Sequence, residues 1–413
     1  MTTHVSLQPR QDSKLADRLN CSSAITEDGV SMRTQDCLGW IASFKAKFQF
    51  QANRIPLAEL DGWSFDQSSG NLQHRSGKFF TVEGLDVVSE DPAASWRQPI
   101  MVQPEAAILG ILVKEFDGVL HFLMQAKMEP GNPGLVQLSP TVQATPSNYT
   151  RVHRGAEVNY VDFFTDTSRG RVIVDVLQSE HGSWFLHKSN RNMIVEITQD
   201  LPLRPEFCWL TLGQLAALLH EDNTVNMDAR SIISCLQPSP GKALALHSDI
   251  EILSWFTTAR ARRHIKIQSI PLAHVPDWVR NDWSIEHVDK RHFRIVGVAV
   301  EAENREVPRW SQPLWEPIGT GLNAFLACRF GGVPHLLAQV RAEAGFVDTV
   351  ELGPTVQDMA GTYGEVPDEA QAHFTALVLD APSSKVIYEA RHAEEGGRFL
   401  NAVSTYRIVE IDE

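Results

Sequence analysis

Apolar residues recur along the chain at two spacings, and each spacing predicts a type of secondary structure. Leu38, Ile41, Phe44 and Phe48 repeat at helical spacing, which predicts a helix that ends at the Ile-Pro-Leu-Ala segment starting at Ile55, because a residue before proline disfavours the helical region. Runs rich in valine, isoleucine and phenylalanine, bounded by glycine, aspartate or proline, predict strands at 78–82, 108–113, 120–125, 171–177 and 193–197.

Local signals refine this outline. Asp117-Gly118 separates two strand-like runs and predicts a hairpin turn. Thr211 with Gln214, and Ser248 with Glu251, are spaced as capping boxes and predict two helix starts. Together the patterns predict an α+β protein in which a mostly antiparallel sheet carries helices on its faces.

The chain also repeats itself. Residues 123–143 align without a gap to residues 337–357, and ten of the 21 positions are identical, including the Pro-Thr-Val-Gln segment of both copies. Both copies end in the tetrapeptide Ile-Val-Glu-Ile, at 194–197 and 408–411. We therefore predict an N-terminal extension (1–36), copy one (37–197), a helical linker (198–251) and copy two (252–413), with the two copies related by a pseudo-two-fold axis.

Composition narrows the classes of function. The chain has 37 Lys plus Arg against 51 Asp plus Glu, for a net charge of −14, which argues against a nucleic-acid-binding protein. No apolar run approaches the 18 residues of a membrane span, and the polar N-terminus does not read as a signal peptide. Five scattered cysteines give neither a zinc motif nor a disulfide framework. These features predict a cytoplasmic protein without a metal site.

Polar residues concentrate where packing alone does not require them. Alternation along a strand puts Gln125, Lys127 and Glu129 on one face, and copy two repeats this set as Gln339, Arg341 and Glu343. Such a face is costly to bury without a ligand. The alternative is an exposed ion pair of little energetic consequence.

Other candidate site residues also have both a functional and a purely structural interpretation. Arg151, His153 and Arg154 place three potential cations within four residues and predict an anion site. The Pro-Thr-Val-Gln segments, with Thr141, Gln143, Thr355 and Gln357, contact a ligand or form a structural turn. Trp96 and Trp310 are stacking platforms or core residues, and the segment 187–192 is a site or a solvated loop.

The segments LVQLSPTVQATPSNYTRVHRG (135–155) and LQSEHGSWFLHKSNRNMIVEI (177–197) resemble the NDP-hexose 2,3-dehydratase family of deoxysugar biosynthesis. IPLAELDGW (55–63) and EEGGRF (394–399) resemble further blocks of that family. The resemblance implies a homodimer of Nudix-like modules without the Nudix hydrolase box. It also implies that a dTDP-4-keto-6-deoxyhexose loses its C2 hydroxyl without a cofactor, and that the resulting 3,4-diketo-2,6-dideoxy sugar passes to a partner 3-ketoreductase.

Copy one is the predicted catalytic copy and copy two a vestigial or binding copy, because copy one keeps more of the family's residues. At the repeat offset, Lys188 becomes Ala402 and Arg191 becomes Thr405. The candidate catalytic residues are Lys127, Glu129, His153 and Glu180. The candidate substrate-binding residues are Trp96, Gln125, Thr141, Gln143, Asn148, Tyr149, Thr150, Arg151, Arg154, Lys188, Asn190, Arg191, Trp310, Arg341, Thr355 and Gln357. The rival interpretation is a non-catalytic protein that binds a nucleotide sugar.

Overall fold

The structure is a computed structural model that describes residues 12, 14–89, 95–150, 157–236, 244–303, 305, 307–358 and 369–412. Its first part forms α1 (Leu15–Ala24), α2 (Thr34–Lys47), β1 (Phe50–Ile55), β2 (Trp63–Phe65), β3 (Leu72–His74), β4 (Thr81–Ser89), β5 (Trp96–Val102), β6 (Ile108–Phe116), β7 (Val119–Met128), β8 (Val136–Ser139), β9 (Val142–Ala144), α3 (Pro146–Tyr149), α4 (Asp162–Thr165), β10 (Arg171–Ser179), β11 (Phe185–Leu186) and β12 (Ser189–Glu196).

The segment between the copies forms β13 (Phe207–Thr211), α5 (Leu212–Leu218) and α6 (Met227–Ser234), and it leads into α7 (Asp249–Arg262). The remaining elements are β14 (Ile265–Ile270), β15 (Trp278–Arg280), β16 (Ser284–His287), β17 (Phe293–Ala302), β18 (Arg309–Pro317), β19 (Gly321–Phe330), β20 (Val333–Leu337), β21 (Gln339–Ala342), β22 (Val350–Gly353), β23 (Val356–Asp358), α8 (Glu369–Leu379), β24 (Val386–Ala393) and β25 (Val403–Glu410). The predicted α+β class with mostly antiparallel sheets is confirmed.

The same strand order occurs in a sheet of each copy. In copy one the order is β10-β12-β6-β7, with β9 on β6, and the linker strand β13 extends the sheet beyond β7. In copy two the order is β24-β25-β19-β20, with β23 on β19. Each sheet holds one parallel pair, β12 with β6 and β25 with β19. Buried aliphatic residues pack between the copy-one sheet and α1, α2, α5 and α6.

The first strand of each copy belongs to a sheet of the other copy. β1 pairs antiparallel with β17, which sets Phe50 opposite Ala302. β14 pairs antiparallel with β4, which sets Ile270 opposite Gly84. The copies therefore exchange strands. Separated from each other, copy one would lose β14 from the sheet that contains β4, and copy two would lose β1 from the sheet that contains β17.

Loops between the copies also cross in equivalent ways. The amide of Gly131 donates to the carbonyl of Gly396 (2.8 Å), and the amide of Gly345 donates to the carbonyl of Gly182 (2.7 Å). A Cβ on Gly131 would lie 1.6 Å from the carbonyl oxygen of Phe399, and a Cβ on Gly345 would lie 1.8 Å from that of Phe185. Only glycine permits this approach at the two positions.

Some of the local structure predicted from the sequence is confirmed, and some is wrong. The Asp117-Gly118 turn is confirmed, since Phe116 pairs with Val119 and both turn residues have positive φ, at 49° and 84°. Both capping boxes are also confirmed, at the starts of α5 and α7. The prediction that the first helix runs to Ile55 is wrong. α2 ends at Lys47 because the chain turns there into the exchanged strand β1.

One strand also starts later than predicted. The run at 78–82 overlaps only the beginning of β4, which continues to Ser89 because β14 of copy two pairs along that stretch. Among the helices that the structure describes, none is long and apolar enough to cross a bilayer.

Candidate active site

A cavity of about 430 Å³ lies where copy one, the linker and copy two meet, within the size range of small-molecule sites. Its polar lining comes from β7, β9 and β12 of copy one, from α6, and from the loop between β24 and β25 of copy two. The polar and charged residues of this part of the wall are Gln103, Lys127, Glu129, Gln143, Lys188, Asn190, Asp228, Glu395 and Arg398.

A hydrogen-bonded trio occupies one wall. The ammonium of Lys127 lies 3.2 Å from Oε1 of Glu129 and donates to Oε1 of Gln143 (2.8 Å). The Gln143 amide in turn donates to Oε1 of Glu129 (3.1 Å). The second oxygen of Glu129, Oε2, is buried and accepts no hydrogen bond from any residue in the described ranges. The trio thus presents an ammonium and a carboxylate oxygen with spare acceptor capacity beside the cavity.

Two further carboxyl groups line the inner wall of the cavity, whereas Asp61 lies at its solvent edge. Asp228 lies on α6 and Glu395 lies on the β24–β25 loop of copy two. Burial, followed by the negative charge of Glu395, raises the pKa of Asp228 well above its usual value. Burial also raises the pKa of Glu395, against the opposing charge of Arg398. The environment therefore shifts both groups toward the protonated form.

Glu180 lies behind this wall. Its Oε1 accepts a hydrogen bond from Nδ2 of Asn190, whose own carbonyl oxygen accepts from the amide of Ala107 at 3.0 Å. Burial and then the charge of Glu395 raise the pKa of Glu180 to about 7. Lys188 donates to the backbone carbonyl of Glu105, and burial lowers the pKa of its ammonium.

The repeat places a second pair of side chains, His181 of copy one and Glu394 of copy two, at positions equivalent to Glu395 and Glu180. At the repeat offset Glu180 corresponds to Glu394, and His181 corresponds to Glu395. Nε2 of His181 lies 3.0 Å from Oε2 of Glu394. Burial alone would lower the pKa of His181, but the charge and hydrogen bond of Glu394 outweigh it and raise that pKa to about 9. His181 and Glu394 thus form an ion pair, whereas the equivalent pair, Glu395 and Glu180, consists of two carboxyl groups.

Aromatic and basic side chains complete the lining. Trp63, His74, Phe79, Phe80 and Trp310 all face the cavity. The basic lining residues, besides Lys127 and Lys188, are Arg75, Lys78, Arg305, Arg309 and Arg398. The side chains of Arg75 and Arg309 remain 74% and 78% exposed, so these two cations lie at the solvent edge.

Arg398 lies deeper than the solvent-edge cations. Its guanidinium is 5.1 Å from the ring centroid of Phe80, and its Nε donates to Oε1 of Gln103 (3.1 Å). The cavity therefore combines a polar inner wall with an aromatic and cationic outer part.

Several residues predicted from the sequence meet at this cavity. These are Lys127, Glu129, Gln143, Asn148, Lys188, Asn190 and Trp310. Glu180 is one hydrogen bond away, through Asn190. Arg151, His153 and Arg154 lie outside the described residues.

Other predicted residues lie away from the cavity lining. The hydroxyl of Thr141 donates to the carbonyl of Leu123 (2.5 Å) and accepts from the amide of Leu112 (2.9 Å), and Thr355 makes the equivalent pair of bonds with Leu337 and Leu326. The two threonine hydroxyls thus hydrogen-bond to the backbone of neighbouring strands, and this structural role explains why threonine recurs in both copies.

The remaining copy-one candidates have local partners. Arg191 forms an ion pair with Asp175 (2.6 Å) on the outer face of β10 and β12. Tyr149 packs in an apolar cluster, and Thr150 donates to the carbonyl of Pro146 (2.6 Å). Gln125 is half-buried on β7, outside the lining, and Trp96 packs against Leu85 and Ala344 in a core cluster.

The copy-two candidates form a separate group. Nε of Arg341 donates to Oε1 of Glu343 (2.6 Å), and its Nη1 donates to the backbone carbonyl of Gln357 (2.8 Å). The second oxygen of Glu343 accepts from the amide of Ser183 (2.9 Å). Glu343 is thus occupied by a backbone contact from copy one, whereas Oε2 of its counterpart Glu129 accepts no hydrogen bond from the described residues.

Sequence reasoning missed Asp228, Glu395 and Arg398. Asp228 is in a segment without an internal counterpart, so the repeat gave no signal for it. Glu395 and Arg398 replace His181 and Trp184 of copy one. That replacement was the available signal, since two charged residues stand where copy one has an imidazole and an indole.

Comparisons with known proteins agree in their naming. A family model described as NDP-hexose 2,3-dehydratase matches residues 34–236 and 249–413. A dTDP-4-dehydro-6-deoxy-alpha-D-glucopyranose 2,3-dehydratase of Amycolatopsis orientalis is 53% identical, over 98% of this chain and 88% of the relative. Proteins with the same name from Saccharopolyspora spinosa and Streptomyces violaceoruber are 48% and 46% identical, over 95% and 92% of this chain and 85% and 89% of theirs.

Proposed function

The chain belongs to the NDP-hexose 2,3-dehydratase family, and we propose that it removes water across C2 and C3 of dTDP-4-keto-6-deoxyglucose in deoxysugar biosynthesis. The product is an enol that tautomerises to the 3,4-diketo-2,6-dideoxy sugar. The observation that carries the proposal is the Lys127–Glu129 pair facing a cavity in which burial raises the pKa values of Asp228 and Glu395. The elimination needs a base, an oxyanion donor and a proton source together.

Glu129 is the base in this proposal. The C4 ketone acidifies the C3 proton, so a positioned carboxylate suffices to remove it without a redox cofactor. Lys127 and Gln143 hold one oxygen of Glu129, which leaves Oε2 to accept the proton. Geometry of this kind is the first requirement for a general base.

Lys127 stabilises the enolate. Removal of the C3 proton moves negative charge onto the C4 oxygen, and an ammonium fixed beside the base meets that charge without reorganisation. The bond from Lys127 to Gln143 (2.8 Å) holds the ammonium in place. A single oxyanion donor typically lowers the activation free energy by about 3–4 kcal/mol.

Glu395 supplies a proton close to the sugar. Burial raises its pKa, and it lines the cavity, so its carboxyl group can donate a hydrogen bond to a hydroxyl or a proton to C2 of the enol. Asn190 and Lys188 supply further donors along the same wall.

The outer part of the cavity suits the nucleotide. Arg75, Lys78 and Arg309 at the solvent edge, with Arg398 deeper, match a diphosphate. The aromatic side chains, among them Trp63 and Trp310, match a thymine ring. His153, Arg151 and Arg154 stay predicted members of the site on sequence grounds.

We propose that residues 37–197 form the catalytic copy and that residues 252–413 form a copy with a binding or vestigial site, joined by residues 198–251. The recurring strand order supports a pseudo-two-fold relation between two copies of one module, and the Nudix-like character of that module stays a prediction from the family resemblance. Copy two additionally supplies Glu395 and Arg398 to the copy-one cavity.

A homodimer is the proposed assembly. α7 buries none of its residues, and Ile250, Leu253 and Trp255 are 69%, 56% and 47% exposed. Exposed apolar side chains around a helix suit contact with a second copy of the chain. The five cysteines are free thiols, as suits the proposed cytoplasmic location. A 3-ketoreductase is the proposed consumer of the product.

The test is incubation of the protein with dTDP-4-keto-6-deoxyglucose in deuterated water, followed by NMR spectroscopy and mass spectrometry. We expect loss of the C2 hydroxyl and deuterium at C2 of the product. A coupled 3-ketoreductase traps the diketo sugar. Tight binding without loss of the hydroxyl, with or without the reductase, would instead establish a non-catalytic nucleotide-sugar-binding protein.

A further inference from the structure

Asp228 is the most deeply buried carboxylate in the cavity wall. Its side chain is 1% exposed, and both carboxyl oxygens lack a hydrogen-bond partner among the residues that the structure describes. The same residue lines the cavity. A buried carboxyl group with both oxygens unbonded is unfavourable unless a ligand supplies the partners.

The helix that carries Asp228 is fixed against the Lys127–Glu129–Gln143 trio. Asn226 caps α6 by accepting from the amide of Ala229 (2.9 Å). The Asn226 side-chain amide donates to Oγ of Ser139 (3.0 Å) and reaches Oε1 of Gln143 (3.5 Å). The position of Asp228 relative to the trio is therefore set by hydrogen bonds rather than by a mobile loop.

Asp228 also distinguishes the two copies. It belongs to 198–251, the segment that has no internal counterpart. The Arg341–Glu343 pair of copy two is the repeat equivalent of the Lys127–Glu129 pair, and no helix in the described part of copy two corresponds to α6. A carboxyl supplied by the linker is thus an addition to the copy-one site alone.

We propose that Asp228 is the acid that protonates the C2 hydroxyl as it leaves. This inference rests on the proposed dehydration. The C2–O bond breaks with its electron pair on oxygen, the O–H bond of Asp228 breaks, and its proton completes a water molecule. The electron pair from the broken C3–H bond, held in the enolate, returns to form the C2–C3 double bond. The base holds the C3 proton, and Asp228 is left as a carboxylate.

The surroundings of Asp228 supply the proton that this role needs. Burial raises its pKa, and the charges of Glu395, Glu180 and Glu129 act in the same direction, against Lys127. The other protonated groups are less suited to the transfer. Glu180 accepts from Asn190 and does not line the cavity, and the charge of Arg398 opposes protonation of Glu395.

The experiment compares two leaving groups. Fluoride departs far more readily than hydroxide without protonation, so the C2-fluoro analogue of the 4-keto substrate bypasses a missing acid. We expect Asp228→Asn to lower kcat for the natural substrate about 10²–10⁴-fold and to stay within about tenfold of wild type for fluoride release. Glu129→Gln, which removes the base, should be slow with both. Asp222→Asn, an exposed change in the same linker, should leave both rates unchanged.

Binding of dTDP and thermal melting establish that the variants are folded, and Asp228→Ser gives the same comparison independently of how the asparagine variant folds. The inference is overturned if Asp228→Asn retains natural turnover, or if it is equally slow with both leaving groups. A wild-type protein that releases no water from the natural substrate would overturn the proposed function instead, so the two failures are distinguishable.

Discussion

Individual carboxyl groups decide the chemistry of this site through their neighbours. Glu129 is held by Lys127, whereas burial, with a smaller effect from neighbouring carboxylates, raises the pKa values of Glu395 and Asp228. One wall thus offers both a base and acids at the same pH. The spacing of Lys127 and Glu129 on a strand made that pair predictable. The proximity of Asp228 and Glu395 was not predictable, because it depends on which loops the fold brings together.

The His181–Glu394 pair makes stability depend on pH. The folded-state pKa of His181 is raised from 6.5 to about 9, so its contribution is complete below about pH 6.5 and is lost as the pH rises through about 9. We expect the difference in melting temperature between wild type and His181→Gln to shrink over that interval. The corresponding loss of unfolding free energy in the wild type is on the order of 1–3 kcal/mol. A difference that stays constant from pH 6.5 to 9 would contradict the assignment.

Two arginines test which cations bind the diphosphate. Arg398 lines the cavity, whereas Arg191 is paired with Asp175 on the outer face. Arg398→Ala should weaken dTDP binding about tenfold, near 1.4 kcal/mol, in isothermal titration calorimetry. Arg191→Ala should change the affinity less than about twofold. A larger loss of affinity in Arg191→Ala than in Arg398→Ala would instead support Arg191 as a diphosphate-binding residue, as predicted from the sequence.

At the scale of elements, signals that act within a few residues were reliable. The Asp117-Gly118 turn and both capping boxes depend on neighbouring backbone groups only, and all three occur as predicted. The strand exchange was not predictable, since the pairing of β1 with β17 joins residues about 250 positions apart in the chain. That pairing also explains why the predicted helix was too long.

The crossed glycine loops are the elements most sensitive to a small change. Gly131→Ala would set a methyl group 1.6 Å from the Phe399 carbonyl oxygen, so the loop must shift and its bond to Gly396 must weaken. We expect a loss of about 1–3 kcal/mol of stability, measured by chemical denaturation, with reduced turnover. Gly39→Ala is the control, because nothing lies within 4 Å of that position on α2. An equal effect of both changes would contradict the close-approach argument.

On the scale of the whole molecule, the repeat makes α2 and α7 equivalent, but their surroundings differ. α2 buries Cys37, Ile41 and Phe44, whereas α7 leaves its apolar side chains exposed. We expect the wild-type chain to be a dimer by light scattering and Leu253→Glu with Trp255→Glu to shift it to a monomer. Leu38→Glu, at the α2 position that corresponds to Leu253, should leave the mass unchanged. A variant that stays dimeric would exclude α7 from the interface.

The sequence alone separated the two copies, and it pointed to copy one because Lys188 and Arg191 have no basic counterparts in copy two. Arg191 is outside the cavity, yet the preference gains support from Asp228 and from the free oxygen of Glu129. What the repeat concealed is the contribution of copy two to the same cavity. A site formed from both copies cannot be read from either copy's sequence.

The most direct test of the account is the steady-state rate of water loss from dTDP-4-keto-6-deoxyglucose in matched variants of the two copies. We expect Lys127→Ala, Glu129→Gln and His153→Ala to lower kcat about a hundredfold or more. The corresponding changes Arg341→Ala and Glu343→Gln should affect mainly folding or binding and leave kcat near the wild-type value. If the copy-two changes abolish turnover while the copy-one changes leave kcat intact, catalysis belongs to copy two and the assignment is reversed.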